Sequence, residues 1–332
     1  MKENNNLPPL PLVDGALLLD NSTLELLQTC PRSMEYAYLR KRTLAREKPA
    51  LNFGSAIHAA LAFRYKQFED RPLSTDNLVQ VLDVLDQHFL ANPQPDGDYR
   101  TLSLARSLIE SYLKVWSREP FKVVQGKVEA SFALRIAFIH RITGEIRPYK
   151  GEKTWTNDWY LICYIGRIDL VVEENTGLWV MDHKTSSMFG DTFWNEMAMT
   201  AQQLGYVWAC KQSLGRTPRG YIINGIRTRK PTRLDEYDET KMVRADDFAR
   251  QQFVVTEDML AEWQENVLSL VREFLWHHSN NYMPRKTKWC VGKYGLCPFY
   301  DVCSLPRSSR EQMLMSSQYE DSIWSPLNKP KA

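Results

Sequence analysis

Residues 177–186, GLWVMDHKTS, put an acid and an amine at the end of what otherwise reads as a buried strand. Successive strand side chains point to opposite faces, so Leu178, Val180, Asp182 and Lys184 line one side. Burying an acid and an amine costs several kcal/mol in desolvation unless the two pair or hold an ion. The strand therefore ends either in a structural pair or in a functional site. A second acid, Asp169 in GRIDLVV, lies upstream. If 159–174 pairs with 178–185 through the short ENTGL connection, the two aspartates come close enough to share a cation. Carboxylate oxygens select a hard ion such as Mg²⁺ or Mn²⁺. Lys184 can then orient or help deprotonate a water and offset charge on a phosphate.

Working outward, KVVQGKVEASFALRIAFI (122–139), WYLICYIGRIDLVVEE (159–174) and LWVMDHKT (178–185) are rich in Val, Ile, Phe and Tyr and read as consecutive antiparallel strands. GYIINGIRT (220–228) is a fourth. Helical spacing covers 22–48 through Leu24, Leu27, Tyr36 and Leu39, with Ser22 and Glu25 in capping-box positions. Further helices are expected near 53–70, 76–90, 101–117, 196–213 and 257–278. The charged stretch 229–250 reads as a surface excursion, and the Ser- and Pro-containing end beyond 306 as a mobile tail. The class is α/β in the α+β sense, a central mixed β-sheet flanked by helices after a helical N-terminal region.

At 332 residues the chain is long enough for a substantial core, and 42 Lys and Arg against 40 Asp and Glu leave a net charge of +2. Contact with a polyanion must then come from local arrangement. The N-terminal sequence lacks the basic-then-apolar order of a secretory signal, and no apolar run approaches the roughly 18 residues of a membrane span. A cytoplasmic protein without a membrane partner is expected. Six cysteines, three of them crowded into KWCVGKYGLCPFYDVC (288–303), suit metal or cluster ligation in a reducing compartment better than disulfides.

The order of motifs resembles the PD-(D/E)XK nuclease superfamily in its RecB-like exonuclease branch. The elements are Gly166 and Asp169, then Asp182 and Lys184 after a hairpin, then Gln202 and Tyr206 on a helix, with His58 upstream in FGSAIHAAL. The resemblance implies a restriction-endonuclease-like core in which His58, Asp169, Asp182 and the backbone carbonyl of His183 bind Mg²⁺ or Mn²⁺. Lys184 would position the attacking water, and Gln202 and Tyr206, one helical turn apart, would contact the scissile strand or orient the lysine. Glu129, in GKVEASF, sits where relatives often carry a strand glutamate and is a further candidate ligand. Arg32, Tyr36, Arg227 and Arg229 are candidate DNA contacts.

The resemblance also implies a [4Fe-4S] cluster on Cys30, Cys290, Cys297 and Cys303, with Zn²⁺ the alternative that four thiolates would equally accept. Such an iron–sulfur clasp would join the N- and C-terminal segments, closing a long loop. Cys163 and Cys210 read as packing residues. The expected layout is an N-terminal extension (1–21), a single nuclease domain (22–305) and the tail (306–332). Within the domain lie a helical part (22–118), the catalytic sheet (119–230) and a C-terminal helix with the cysteine cluster (231–305). The activity implied is metal-dependent DNA exonuclease action on single strands or duplex ends, in recombination, repair, phage DNA processing or CRISPR-type spacer processing. Recombination or CRISPR-adaptation proteins would be partners, and oligomerisation is left open. The rival readings are a non-cleaving nucleic-acid-binding accessory and a structure-specific endonuclease.

Overall fold

The computed structural model describes residues 7–45, 49–230, 243–292 and 295–322. The described chain divides into two compact units, one of residues 7–45, 132–166 and 261–322, the other of 49–131 and 167–260.

The first unit opens with a hairpin, β1 (Leu12–Val13) and β2 (Ala16–Leu19). Asp14 and Gly15 turn it with φ of 50° and 76°, the positive values that a two-residue hairpin loop demands. Helix α1 (Asn21–Thr29) follows. Its capping box is made by Asp20 and Thr23, while Ser22 and Glu25 lie inside the helix. The continuous helix expected over 22–48 is interrupted because Pro31 lacks an N–H and forces Cys30 into extended backbone, φ −158° and ψ 111°. The chain restarts as α2 (Pro31–Met34), widens into a π-helical turn (Glu35–Leu39) and ends in strand β3 (Arg42–Leu44).

The second unit holds the helices α3 (Pro49–Phe68), α4 (Thr75–Ala91) and α5 (Leu102–Val115). Two long strands, β4 (Lys122–His140) and β6 (Trp159–Glu174), give residues to each unit. Between them β5 (Ile146–Pro148) pairs antiparallel with β4, and β2 runs parallel to β6 at residues 161–164. In the second unit the last residues of β6 pair antiparallel with β7 (Gly177–Ser186), as the short connection predicts. Helices α6 (Asp191–Ala198) and α7 (Ala201–Leu214) lead to β8 (Gly220–Arg227), which is parallel to β7. Strand β9 (Phe248–Val254) pairs antiparallel with β8, completing a mixed sheet.

The period of two fixes the faces of this sheet. Leu170, Val172, Trp179, Met181, Ile222 and Ile226 pack with Phe53, Ile57, Leu61, Leu85 and Leu108 of α3–α5 in one buried core. Asp182 and Lys184 alternate with Met181 along β7 and meet α7 instead. Gly220 lets β8 and β9 approach, since a Cβ there would stand 1.9 Å from the Phe253 carbonyl oxygen.

Two expectations need correction. The excursion over 229–250 contains the start of β9, whose polar side chains hid it, because an edge strand needs one apolar face at most; residues 231–242 lie outside the described set. The tail is ordered through residue 322: after α8 (Glu257–Ser279), the short hairpin of β10 (Val291–Gly292) and β11 (Gly295–Leu296) and α9 (Tyr300–Ser304), the chain forms α10 (Arg307–Leu314). Strand β12 (Tyr319–Asp321) then pairs with β3. Leu314 and Tyr319 bury themselves against Tyr36, Phe299 and Val302, which is why the tail is held. The expected tail residues 323–332 lie outside the described set.

Candidate functional site

His58 stands on α3 one turn after Gly54. A Cβ at Gly54 would lie 3.1 Å from the Thr185 hydroxyl, so the glycine lets the helix approach β7 closely. His58 Nδ1 then reaches Asp169 Oδ2 at 3.3 Å. The β6–β7 register runs to Leu170 opposite Met181, and beside it the Asp169 carboxylate accepts the His183 N–H at 2.9 Å. Glu129 arrives from β4 with φ 51°, a left-handed conformation that a non-glycine residue adopts at a cost of about 1–3 kcal/mol and that clusters at functional sites. Arg167 Nε holds its carboxylate at 3.0 Å. The donor atoms of His58, Glu129 and Asp169 all lie within 4.8 Å of one another.

An imidazole nitrogen and two carboxylate oxygens form a set suited to Mn²⁺ or Mg²⁺. Burial alone would lower the His58 pKa, but the charge and hydrogen bond of Asp169 outweigh it and lift the imidazole to about 9. Asp169, also desolvated, is pulled far below the usual carboxylate range by His58 and by the His183 N–H. Glu129 rises to about 7 through burial and the neighbouring Asp169 charge.

Asp182, 2 % exposed, pairs with Lys184, whose Nζ lies 2.7 Å from Asp182 Oδ2. Burial raises the Asp182 carboxyl, and Asp169 adds to the effect. Lys184 loses solvent as well, but Asp182 more than compensates and keeps the ammonium charged. Its Nζ also donates to Gln202 Oε1 at 3.0 Å, and Gln202 Nε2 donates to the Tyr206 hydroxyl at 3.1 Å. Gln202 and not its neighbour Gln203 makes this contact; Gln203 is fully buried.

The His183 side chain points the other way, into a buried polar cluster that sequence reasoning missed. Its ring stacks on Tyr65 at 5.9 Å, and its Nδ1 is 2.7 Å from Asn224 Nδ2. Because an amide nitrogen only donates, His183 Nδ1 is the acceptor and the ring is neutral there, in keeping with a pKa that burial depresses to about 3. Arg250 Nε donates to Asn224 Oδ1 at 3.0 Å, and its other nitrogens reach Glu119 and the hydroxyls of Tyr65 and Tyr112. The one available signal was Asn224 itself, a polar residue inside an apolar strand.

Among the expected DNA contacts, Arg32 and Tyr36 are buried. Arg32 donates to the Met283 carbonyl at 2.7 Å and pairs with Glu35, while Tyr36 packs edge-on against Phe299. Both make these contacts inside the first unit, where they also line a small cavity. Arg229 is paired with Asp246 and Asp247, and Arg227 lies beside Ser186 on β8. All six cysteines are free thiols. Cys30, Cys290, Cys297 and Cys303 belong to the first unit: the Lys286 N–H points to Cys30 Sγ at 3.4 Å, Cys297 Sγ is 3.6 Å from Ser33 Oγ, and the Cys297 N–H donates to the Cys290 carbonyl. Burial, then the charges of Cys297 and Cys30, raise the Cys290 thiol. Cys163 and Cys210 are buried.

No helix among the described residues is long and apolar enough to cross a membrane. No curated protein matches the sequence. A solved structure described as "Crystal structure of SSO0001" is similar over 76 % of this chain and 84 % of that one, with 14 % identity and a TM-score of 0.30. The profile of the PD-(D/E)XK nuclease superfamily matches residues 21–304, a span that contains every residue of the constellation built from His58 to Tyr206. The chain therefore belongs to the PD-(D/E)XK nuclease superfamily.

Proposed function

We propose that the protein is a metal-dependent DNA exonuclease of the RecB-like, iron–sulfur branch of its superfamily. The observation that carries the reading is the convergence of His58 with Glu129 and Asp169, because a helix-borne imidazole beside the strand carboxylates is the feature by which that branch is recognised. These three residues, with Asp182 and the His183 backbone carbonyl that the resemblance adds, would hold Mg²⁺ or Mn²⁺, and such a cation supplies a Lewis acid for water and phosphate. Asp182 holds Lys184 in place. The charged Lys184 donates hydrogen bonds and stabilises negative charge as water adds to phosphorus and the ester oxygen leaves with a proton. An ammonium kept protonated does not act as the base, so the role of Lys184 is orientation and charge. Gln202 fixes its direction, and Tyr206 fixes Gln202.

Cys30, Cys290, Cys297 and Cys303 are the proposed ligands of a [4Fe-4S] cluster. A single Zn²⁺, with Zn–S bonds of about 2.3 Å, would hold thiolates roughly 3.8 Å apart. Zn²⁺ on the same four thiolates is the alternative. Recombination, repair or the processing of phage DNA or CRISPR spacers are the settings proposed for the activity.

End-labelled linear DNA and closed circles test the reading together. With Mg²⁺ or Mn²⁺ the enzyme is expected to release nucleotides from linear ends and spare circles, and Lys184→Ala to abolish release without loss of folded structure. Cutting of circles would identify an endonuclease. Linear DNA left intact under both metals would leave only a binding protein.

A further inference from the structure

A second feature of the β-sheet unit lies at the ends of the parallel strands β7 and β8, where open α/β sheets place their ligands. A cavity of about 680 Å³ opens there, lined by Tyr99, Arg100, Met188, Arg227, Arg229 and Lys230 together with Asp98. Arg227 is opposite Ser186 in the strand register, and Ser186 is two residues beyond Lys184, roughly 7 Å along the strand. The cavity therefore adjoins the catalytic lysine.

Its walls are built. The Thr228 N–H donates to the Ser186 carbonyl at 2.7 Å, tying the two strand ends together. Ser186 Oγ donates to the Met188 carbonyl at 2.8 Å, shaping the loop that presents Met188 at 64 % exposure. On the far side Asp98 accepts from the Arg100 backbone and guanidinium, and Arg100 lies over the Tyr99 ring at 4.6 Å. Asp98 offsets Arg100, and Asp246 and Asp247 offset Arg229. Arg227 and Lys230 remain the source of net positive charge, and Arg227 Nε is buried with no partner among the described residues.

We propose that this groove holds the single-stranded nucleic-acid segment next to the scissile phosphate, a proposal that rests on the nuclease reading above. Arg227 and Lys230 meet its phosphates, and Met188 supplies an apolar surface for a base. One strand is the occupant because a sphere of this volume is about 11 Å across, and a duplex, whose major groove alone is roughly 12 Å wide, is broader than that. Contacts of this kind are to phosphate, so they position the strand without reading its sequence.

The test measures binding apart from cleavage. A fluorescent 12-nucleotide single strand is titrated against the Lys184→Ala protein in EDTA over a range of salt, alone and with Arg227→Gln plus Lys230→Gln. Each phosphate contact contributes about 0.7 to the slope of log affinity against log salt on a single strand. Loss of two contacts should lower the slope by about 1.4 and weaken binding at least tenfold, equally for poly-dT and poly-dA. Met188→Glu, at an exposed position that folding does not need, should weaken binding in the same assay by placing a negative charge beside the phosphates. Unchanged affinity and slope in both variants would overturn the proposal, as would weakening confined to duplex. A protein that never cleaves yet loses single-strand binding in these variants would refute the nuclease reading and keep the groove. Cleavage with unaffected binding would do the reverse.

Discussion

Glu119→Gln isolates the charge that holds the polar cluster beneath the site. Glu119 and Arg250 form an ion pair with 1 % and 8 % side-chain exposure, so the exchange keeps the shape and leaves a buried guanidinium without a counter-charge. Removing one partner of such a pair costs about 3–5 kcal/mol. Here Arg250 retains the Asn224 and tyrosine oxygens, and Trp116 lies 3.8 Å beneath its carbon, so about 3 kcal/mol, the low end, is expected. Equilibrium urea unfolding measures it. The added change Arg250→Met removes the orphaned charge, and the double variant should be more stable than Glu119→Gln alone. Because Asn224 joins Arg250 to His183, whose backbone N–H binds Asp169, Glu119→Gln should also weaken Mn²⁺ binding. A loss below 1 kcal/mol, or a double variant worse than the sum of the singles, would refute the reasoning.

Metal binding must displace protons from His58, raised to about 9, and from Glu129, raised to about 7. Both groups bind protons more tightly in the metal-free site, so affinity falls as pH falls. The expected slope is about tenfold per pH unit between 7 and 9, steeper below 7, and flat above 9; calorimetry in buffers of different ionisation enthalpy counts the protons released, and a pH-independent affinity would contradict the assignment. For the cysteines, anaerobically purified protein should be brown and absorb near ~400 nm, and Cys297→Ser or Cys303→Ser should lose the band. Colourless protein with one zinc per chain would reject iron.

Asp182 and Lys184 were legible from sequence because strand periodicity leaves no choice of face, while Gln202 with Tyr206 followed from the resemblance, their spacing of one helical turn setting them on one face. Glu129 could be placed near the site only by resemblance, since its φ of 51° and its grip by Arg167 are features of the folded backbone. Cys30-Pro31 marked the break in the first helix, yet the leucine periodicity on either side runs through it and hid the break. Strand β9 was illegible for a related reason: Arg250, Gln251 and Gln252 look like a solvated run, and only the fold reveals that Arg250 turns inward to Glu119. Buried ion pairs between elements 131 residues apart leave no local pattern. The final helix was lost to composition, because its anchoring residues Leu314 and Tyr319 are isolated among polar neighbours.

Anomalous diffraction at the manganese edge from crystals soaked in Mn²⁺ tests the cation site most directly. One peak is predicted among the side chains of His58, Glu129 and Asp169, absent from Asp169→Asn crystals. No peak there in well-ordered wild-type crystals, with the imidazole still bound to Asp169, would contradict it.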